Sequence, residues 1–323
     1  MKKVGIIIIN SLTITSMLAY PVCTSTSSVH AATIITPLSP VLTDFQQLVS
    51  TRASGSNLKA FVDQHISTVS KEEAIQLVLG LEHYYVMNIK IWKISYEQPL
   101  IQGKLKILSK KHTFFDKLIQ QDPLIKNLQH QAMQEGYKLT WKGQTIQPAV
   151  PYEEFTAYSS YLSNEMRSYL ALQAIESQQS YTDGQHLLLS THELSLRVIA
   201  TERFLQTYPT SPNRKTVYAM YRAYLLSYLK GMPKSPIYES NTLLLQPSLQ
   251  SSYRQIIRDY PKSVTALLLQ NYLHILQNTS MKIGTYDKQQ HLVYAPAVRQ
   301  FYDSIEKSIA PLLHGLVEGG FSK

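Results

Sequence analysis

The chain carries one helix-breaking signal twice, and that repetition limits its architecture more than any other feature. Tyr208-Pro209-Thr210-Ser211 and Tyr260-Pro261-Lys262-Ser263 stand 52 residues apart. An apolar pair precedes each, Phe204-Leu205 in the first and Ile256-Ile257 in the second. An apolar set at helical spacing follows each: Val217, Met220, Tyr221 and Tyr224, then Leu269, Tyr272, Leu273 and Leu276 in the same register. Proline lacks the N–H a helix interior needs and disfavours helical geometry in the residue before it, so each Tyr-Pro ends a helix. In the first copy Ser211-Pro212 should open the next one. The pattern predicts a duplicated hairpin of antiparallel helices.

The same punctuation runs through the rest of the chain. Ser70-Lys71-Glu72-Glu73 and Ser190-Thr191-His192-Glu193 match the capping box, in which the serine hydroxyl and the glutamate satisfy each other's backbone N–H. The first box opens a long helix with Ala74, Val78, Leu81, Tyr85, Trp92 and Tyr96 on one face, limited by Pro99. The second opens a helix whose apolar set is Leu196, Ile199, Phe204 and Leu205. Shorter helices are expected over 43–49, 113–120 and Pro123–Gln134, the last ending at Gly136. Residues 33–56 otherwise read as an arm, with Ala53-Ser54-Gly55-Ser56-Asn57 as a loop. From Pro151, with Glu153 and Glu154 in its first turn, one helix should run to about residue 177.

Alternation in Tyr137-Lys138-Leu139-Thr140-Trp141, a turn at Lys142-Gly143 and renewed alternation in Gln144-Thr145-Ile146 predict a small β-hairpin, with Trp141 against neighbouring helices. Residues 281–294 fit a second hairpin or a loop equally well. A last helix from Ala297 carries Val298, Phe301, Ile305 and Ile309, with Pro311 kinking or ending it. The expected fold is mainly α, stacked antiparallel helical hairpins with one small β-hairpin. It divides into residues 1–31, an N-terminal helical region over 32–136, the β-hairpin over 137–150, and a C-terminal helical-repeat region over 151–323.

Residues 1–31 read as an export signal: Lys2 and Lys3, an apolar stretch from Val4 to Ile9, and Val29-His30-Ala31 as a cleavage context. The mature chain would begin at Ala32, lose Cys23, and be secreted or extracytoplasmic. Cleavage lowers Lys and Arg from 31 to 29 against 22 acids, so the net charge falls from +9 to +7. No later segment is apolar enough to span a bilayer. A basic exported chain invites weak association with wall polyanions or lipid headgroups.

Phe204-Leu205-Gln206-Thr207-Tyr208-Pro209-Thr210-Ser211-Pro212, with Ala200 four residues before Phe204 and Pro212 eight after it, resembles the inter-helix signature of tetratricopeptide-like (TPR-like) proteins of the exported kind. The resemblance covers residues 190–277. It implies a scaffold that binds a protein or peptide partner in a groove and has no chemistry of its own.

The chemical motifs are sparse. His192-Glu193, with His186 and Glu202 nearby, lacks the His-Glu-x-x-His spacing of a zinc site, and the capping box explains Glu193. Glu82-His83 has no second histidine one turn away. The Ser54 segment lacks the flanking glycines of a nucleophile elbow, and no Gly-rich phosphate loop is present. Glu153, Glu154, Glu165 and Glu202 read as a solvated acidic face rather than a glycosidase pair. Of the 22 tyrosines, Tyr158, Tyr161, Tyr169, Tyr218, Tyr221 and Tyr224 lie on expected helices of the C-terminal half, and stripes at helical spacing read as core. Tyr161 and Tyr218 lie off those stripes and are the candidate groove residues. The sequence therefore points to an exported binding or scaffolding protein of the cell envelope, with no catalytic residue, metal, cofactor or nucleic-acid partner. The alternative is an envelope-directed hydrolase that uses acidic residues on a helical face.

Overall fold

Serine and proline set most of the helix starts. The computed structural model describes residues 39–109, 122–142 and 145–314. In chain order these form α1 (Pro40–Ser50), α2 (Gly55–His65), α3 (Lys71–Glu97), α4 (Pro99–Ser109), α5 (Pro123–Gln134), β1 (Lys138–Lys142) and β2 (Thr145–Ala149). A 3-10 run (Tyr152–Tyr161) follows, then α6 (Asn164–Gln178), α7 (Thr191–Thr207), α8 (Arg214–Lys230), α9 (Pro247–Asp259) and α10 (Val264–Gln277). The described chain ends with β3 (Gly284–Tyr286), β4 (Leu292–Tyr294) and α11 (Pro296–His314). Ser39, Ser54, Ser70, Ser163, Ser190 and Ser263 each accept a first-turn N–H, for α1, α2, α3, α6, α7 and α10. Such a cap is worth about 1 kcal/mol. Both expected capping boxes form, at Ser70 and Ser190.

The 52-residue register holds in the backbone. Tyr208 and Tyr260 end α7 and α9 in nearly the same conformation, φ −124° and ψ 69° against φ −132° and ψ 52°. Each donates its N–H to the residue four before it, and Ser211 and Ser263 donate back to the two tyrosine carbonyls. Val217 and Leu269 are both buried, as are Tyr224 and Leu276. Helix α7 packs on α8 and α9 on α10, and α7 also touches α9, α10 and α11. The hairpins are therefore stacked, as the sequence predicts. Helix α8 starts two residues later than Ser211-Pro212 suggests, with Asn213 at the cap position.

Elsewhere the chain departs from expectation. Residues 152–178 are not one helix. Tyr152, Phe155 and Tyr158 bury one side of the 3-10 run at intervals of three, its natural period, and Leu162 is extended before Ser163 restarts the chain as α6. The loop expected around Ser54 is the start of α2. Gly55 lies so close to the backbone of Glu135 that a Cβ would sit 2.1 Å from its carbonyl oxygen, and Ser56 Oγ donates to the carbonyl of Gln134 at 2.6 Å. The chain turns there at Gly136, φ 79°. Residues 281–294 resolve as a second antiparallel hairpin, β3 with β4, beside the expected pairing of β1 with β2. Helix α11 runs through Pro311 to His314. The Trp141 side chain, its turn at 143–144, the helix expected over 113–120, and residues 1–31 lie outside the described residues.

One connected apolar core extends from Leu42 to Leu312, and tyrosine dominates its larger side chains. Their hydroxyls find partners: Tyr85 donates to the Gly55 carbonyl, Tyr137 to that of Tyr85, and Tyr253 to that of Tyr228. Tyr272 and Tyr302 share a hydrogen bond of 2.6 Å, and the ring of Tyr272 stacks on Phe301 at 4.7 Å. The buried Tyr96 hydroxyl has no partner among the described residues.

Two buried charges, Glu202 and Arg214, meet buried helix ends, where backbone groups lack intrahelical partners. Glu202 of α7 accepts from the N–H groups of Val264 and Thr265 and from the Thr265 hydroxyl, closing the start of α10. Arg214 donates to the carbonyls of Leu205 and Tyr208 at the end of α7, and to those of Leu312 and Leu313 near the end of α11. Both arrangements match the sign of the helix dipole.

Candidate functional site

Two leucines two residues apart on a helix point about 200° from each other, so Leu194 and Leu196 of α7 cannot both face one core. Leu194 is buried and Leu196 is 45% exposed, reversing the expectation that Leu196 packs inside. It stands on the rim of a hollow of about 320 Å³ between α6, α7 and α8. Leu172 and Ile175 of α6, Ala200 of α7 and Met220 of α8 supply the remaining apolar wall, and Ile175 is 43% exposed.

The polar side of this groove is a fixed network. Arg197 of α7 donates from Nη1 to Glu176 Oε2 at 2.6 Å, and Tyr224 of α8 donates to the same oxygen at 2.8 Å. The other oxygen, Oε1, accepts from Ser180 Oγ and the Tyr181 N–H. The guanidinium lies 6.0 Å from the centre of the Tyr224 ring, and Tyr181 meets that ring edge-on at 5.0 Å. Burial and the neighbouring Glu176 charge hold the Tyr224 hydroxyl protonated far above its ordinary range. Arg197 and Tyr224 line the hollow themselves. A guanidinium carries five N–H donors in a planar fork, so an arginine held by one carboxylate oxygen can still address a second acceptor. An apolar wall beside an oriented arginine suits an apolar side chain flanked by a carbonyl or carboxylate.

Tyr161 ends the 3-10 run and Tyr218 lies on α8; both are half-buried against the core. Neither lines this groove. The groove residues escaped the sequence reading because Glu176 and Arg197 meet only through the packing of α6 on α7. The spacing of Leu194 and Leu196 was the local clue.

The carboxylates expected on a solvated face are not equivalent. Glu202 is fully buried, and burial raises its pKa against the opposing hydrogen bonds from Thr265 and Val264. Glu165 accepts from Ser211 Oγ, Glu153 pairs with Lys138 at 2.6 Å, and Glu154 lies 3.9 Å from Lys59. Glu82, inside α3, accepts on Oε1 from the hydroxyls of Tyr152 and Tyr169. His186 pairs with Asp183 rather than with His192. Among the described residues no three His, Cys, Asp or Glu side chains gather as a metal site.

Comparison with protein-family models, with curated proteins and with solved structures finds no match for this chain.

Proposed function

We propose that the chain is a non-catalytic binding or scaffolding module of the cell envelope, which captures a peptide segment of a partner protein in the groove between α6, α7 and α8. The observation that carries this reading is the pairing of exposed Ile175 and Leu196 with Arg197, whose guanidinium is already oriented by Glu176. An interface residue enclosed in such a pocket contributes about 2 kcal/mol or more, and arginine and aromatic residues recur at such positions. Placement outside the cytoplasm rests on the Lys2-Lys3 and apolar sequence of residues 4–9.

The test selects ligands for the full chain from a random-peptide display library and measures the affinity of the enriched peptides. Leu196→Asp should weaken binding at least tenfold with the melting temperature unchanged, because Leu196 contributes its side chain to the rim and not to the core. Tyr161→Ala and Tyr218→Ala, on other surfaces, distinguish this groove from an aromatic site elsewhere. Loss of binding in the tyrosine variants alone would move the site, and absence of any enriched peptide would end the reading.

A further inference from the structure

Helix α3 changes character midway. Its first half buries Ala74, Leu77, Val78, Leu81 and Tyr85, whereas its second half turns large apolar side chains to solvent. Val86 is 44% exposed, Met87 61%, Ile91 63% and Ile94 64%. At about 100° per residue these four fall within an arc of about 140° on the helix, over a length of about 12 Å. Leu100, at the start of α4, is exposed to 64%.

Lys90 lies inside this stripe, one turn from Val86 and one turn from Ile94, and is exposed. That placement discriminates between occupants. Lysine is depleted from the centre of protein–protein interfaces, where its charge must be stripped of water. On a bilayer the same residue costs little, because its stem lies along apolar surface while the ammonium reaches the headgroups. Lys90 places a positive charge within the apolar face, and the whole chain carries +9. No helix among the described residues is long and apolar enough to cross a membrane, so contact through α3 would be peripheral.

We propose that the exposed face of α3, centred on Met87, Lys90, Ile91 and Ile94, docks on the surface of an anionic bilayer. The apolar side chains enter the headgroup–acyl boundary and Lys90 meets the lipid charge. This surface is separate from the groove of α6, α7 and α8, and either can fail without the other.

Vesicle flotation with the full chain tests it, using phosphatidylglycerol–phosphatidylcholine vesicles against pure phosphatidylcholine. The full chain should partition at least tenfold more strongly to the anionic vesicles. The double variant Ile91→Asp/Ile94→Asp should lose at least tenfold of that partition, and Lys90→Glu should lose a smaller share, both with wild-type melting. Equal binding to both vesicle types, or binding indifferent to the double variant, would overturn the proposal. So would concentration-dependent self-association that the double variant abolishes without any vesicle binding, since that outcome makes the occupant a second copy of the chain.

Discussion

Replacing Glu202 by alanine removes the acceptor of three donors at the start of α10. Two of them, the N–H and the hydroxyl of Thr265, belong to a residue with no exposed surface, so water cannot take the place of the carboxylate. A buried donor left unsatisfied costs about 1–3 kcal/mol. Against this stands relief of the desolvation that raises the Glu202 pKa. Removing one partner from a buried charged network costs about 3–5 kcal/mol in comparable cases, and the relief places Glu202→Ala near the lower end, about 3 kcal/mol. For a folded unit of this size that lowers the melting temperature by about 5 °C. Glu202→Gln keeps one acceptor oxygen and should fall between alanine and wild type. Calorimetry gives the shift, and amide hydrogen exchange should locate the loss of protection in the first turn of α10. An alanine variant that melts with the wild type, with Thr265 still protected, would refute the claim that this carboxylate closes the helix.

Two further outcomes follow from buried groups. Burial raises the Glu82 pKa above its ordinary value of 4.5, and the Tyr169 and Tyr152 hydroxyls oppose this only in part. The folded state then binds more protons than the unfolded chain between 4.5 and the raised value, so this group's contribution falls as pH climbs through that window. Glu82→Gln keeps an oxygen for both tyrosines and should flatten that fall; urea titrations from about pH 4 to 8 read it. Phe204 is buried and packs 5.1 Å from Tyr208. Phe204→Ala should cost about 3–5 kcal/mol in the same denaturation assay, and an unchanged midpoint would remove Phe204 from the core.

Features written locally were legible in the sequence. A Ser-x-x-Glu box specifies its own helix start, and the Tyr-Pro-x-Ser signal ends a helix wherever it stands, so α3, α7 and the duplicated hairpins could be placed from the residues alone. The first β-hairpin announced itself through alternation. What could not be read depends on partners far along the chain: Glu202 meets Thr265, 63 residues on, and Arg214 meets Leu312, 98 residues on. Gly55 looked like a loop residue because the reason for a glycine there, the backbone of Glu135, is 80 residues away. The break at Leu162 was hidden for another reason. Phe155, Tyr158 and Leu162 suit an α-helix almost as well as a 3-10 run, since periods of 3.6 and 3.0 diverge by less than two residues over three turns. Groove residues were the least visible, because polar groups that meet across three helices leave no spacing rule.

The closure of α10 by Glu202 also gives the stack a direction. Shifted by the repeat length, Glu202 corresponds to Arg254, an exposed residue on α9. In the first copy this position holds a carboxylate that receives the positive end of a following helix; in the second it holds a guanidinium, which repels one. The helix that follows the second copy, α11, packs on α10, α8 and α7 instead, without a carboxylate at this register position to receive it.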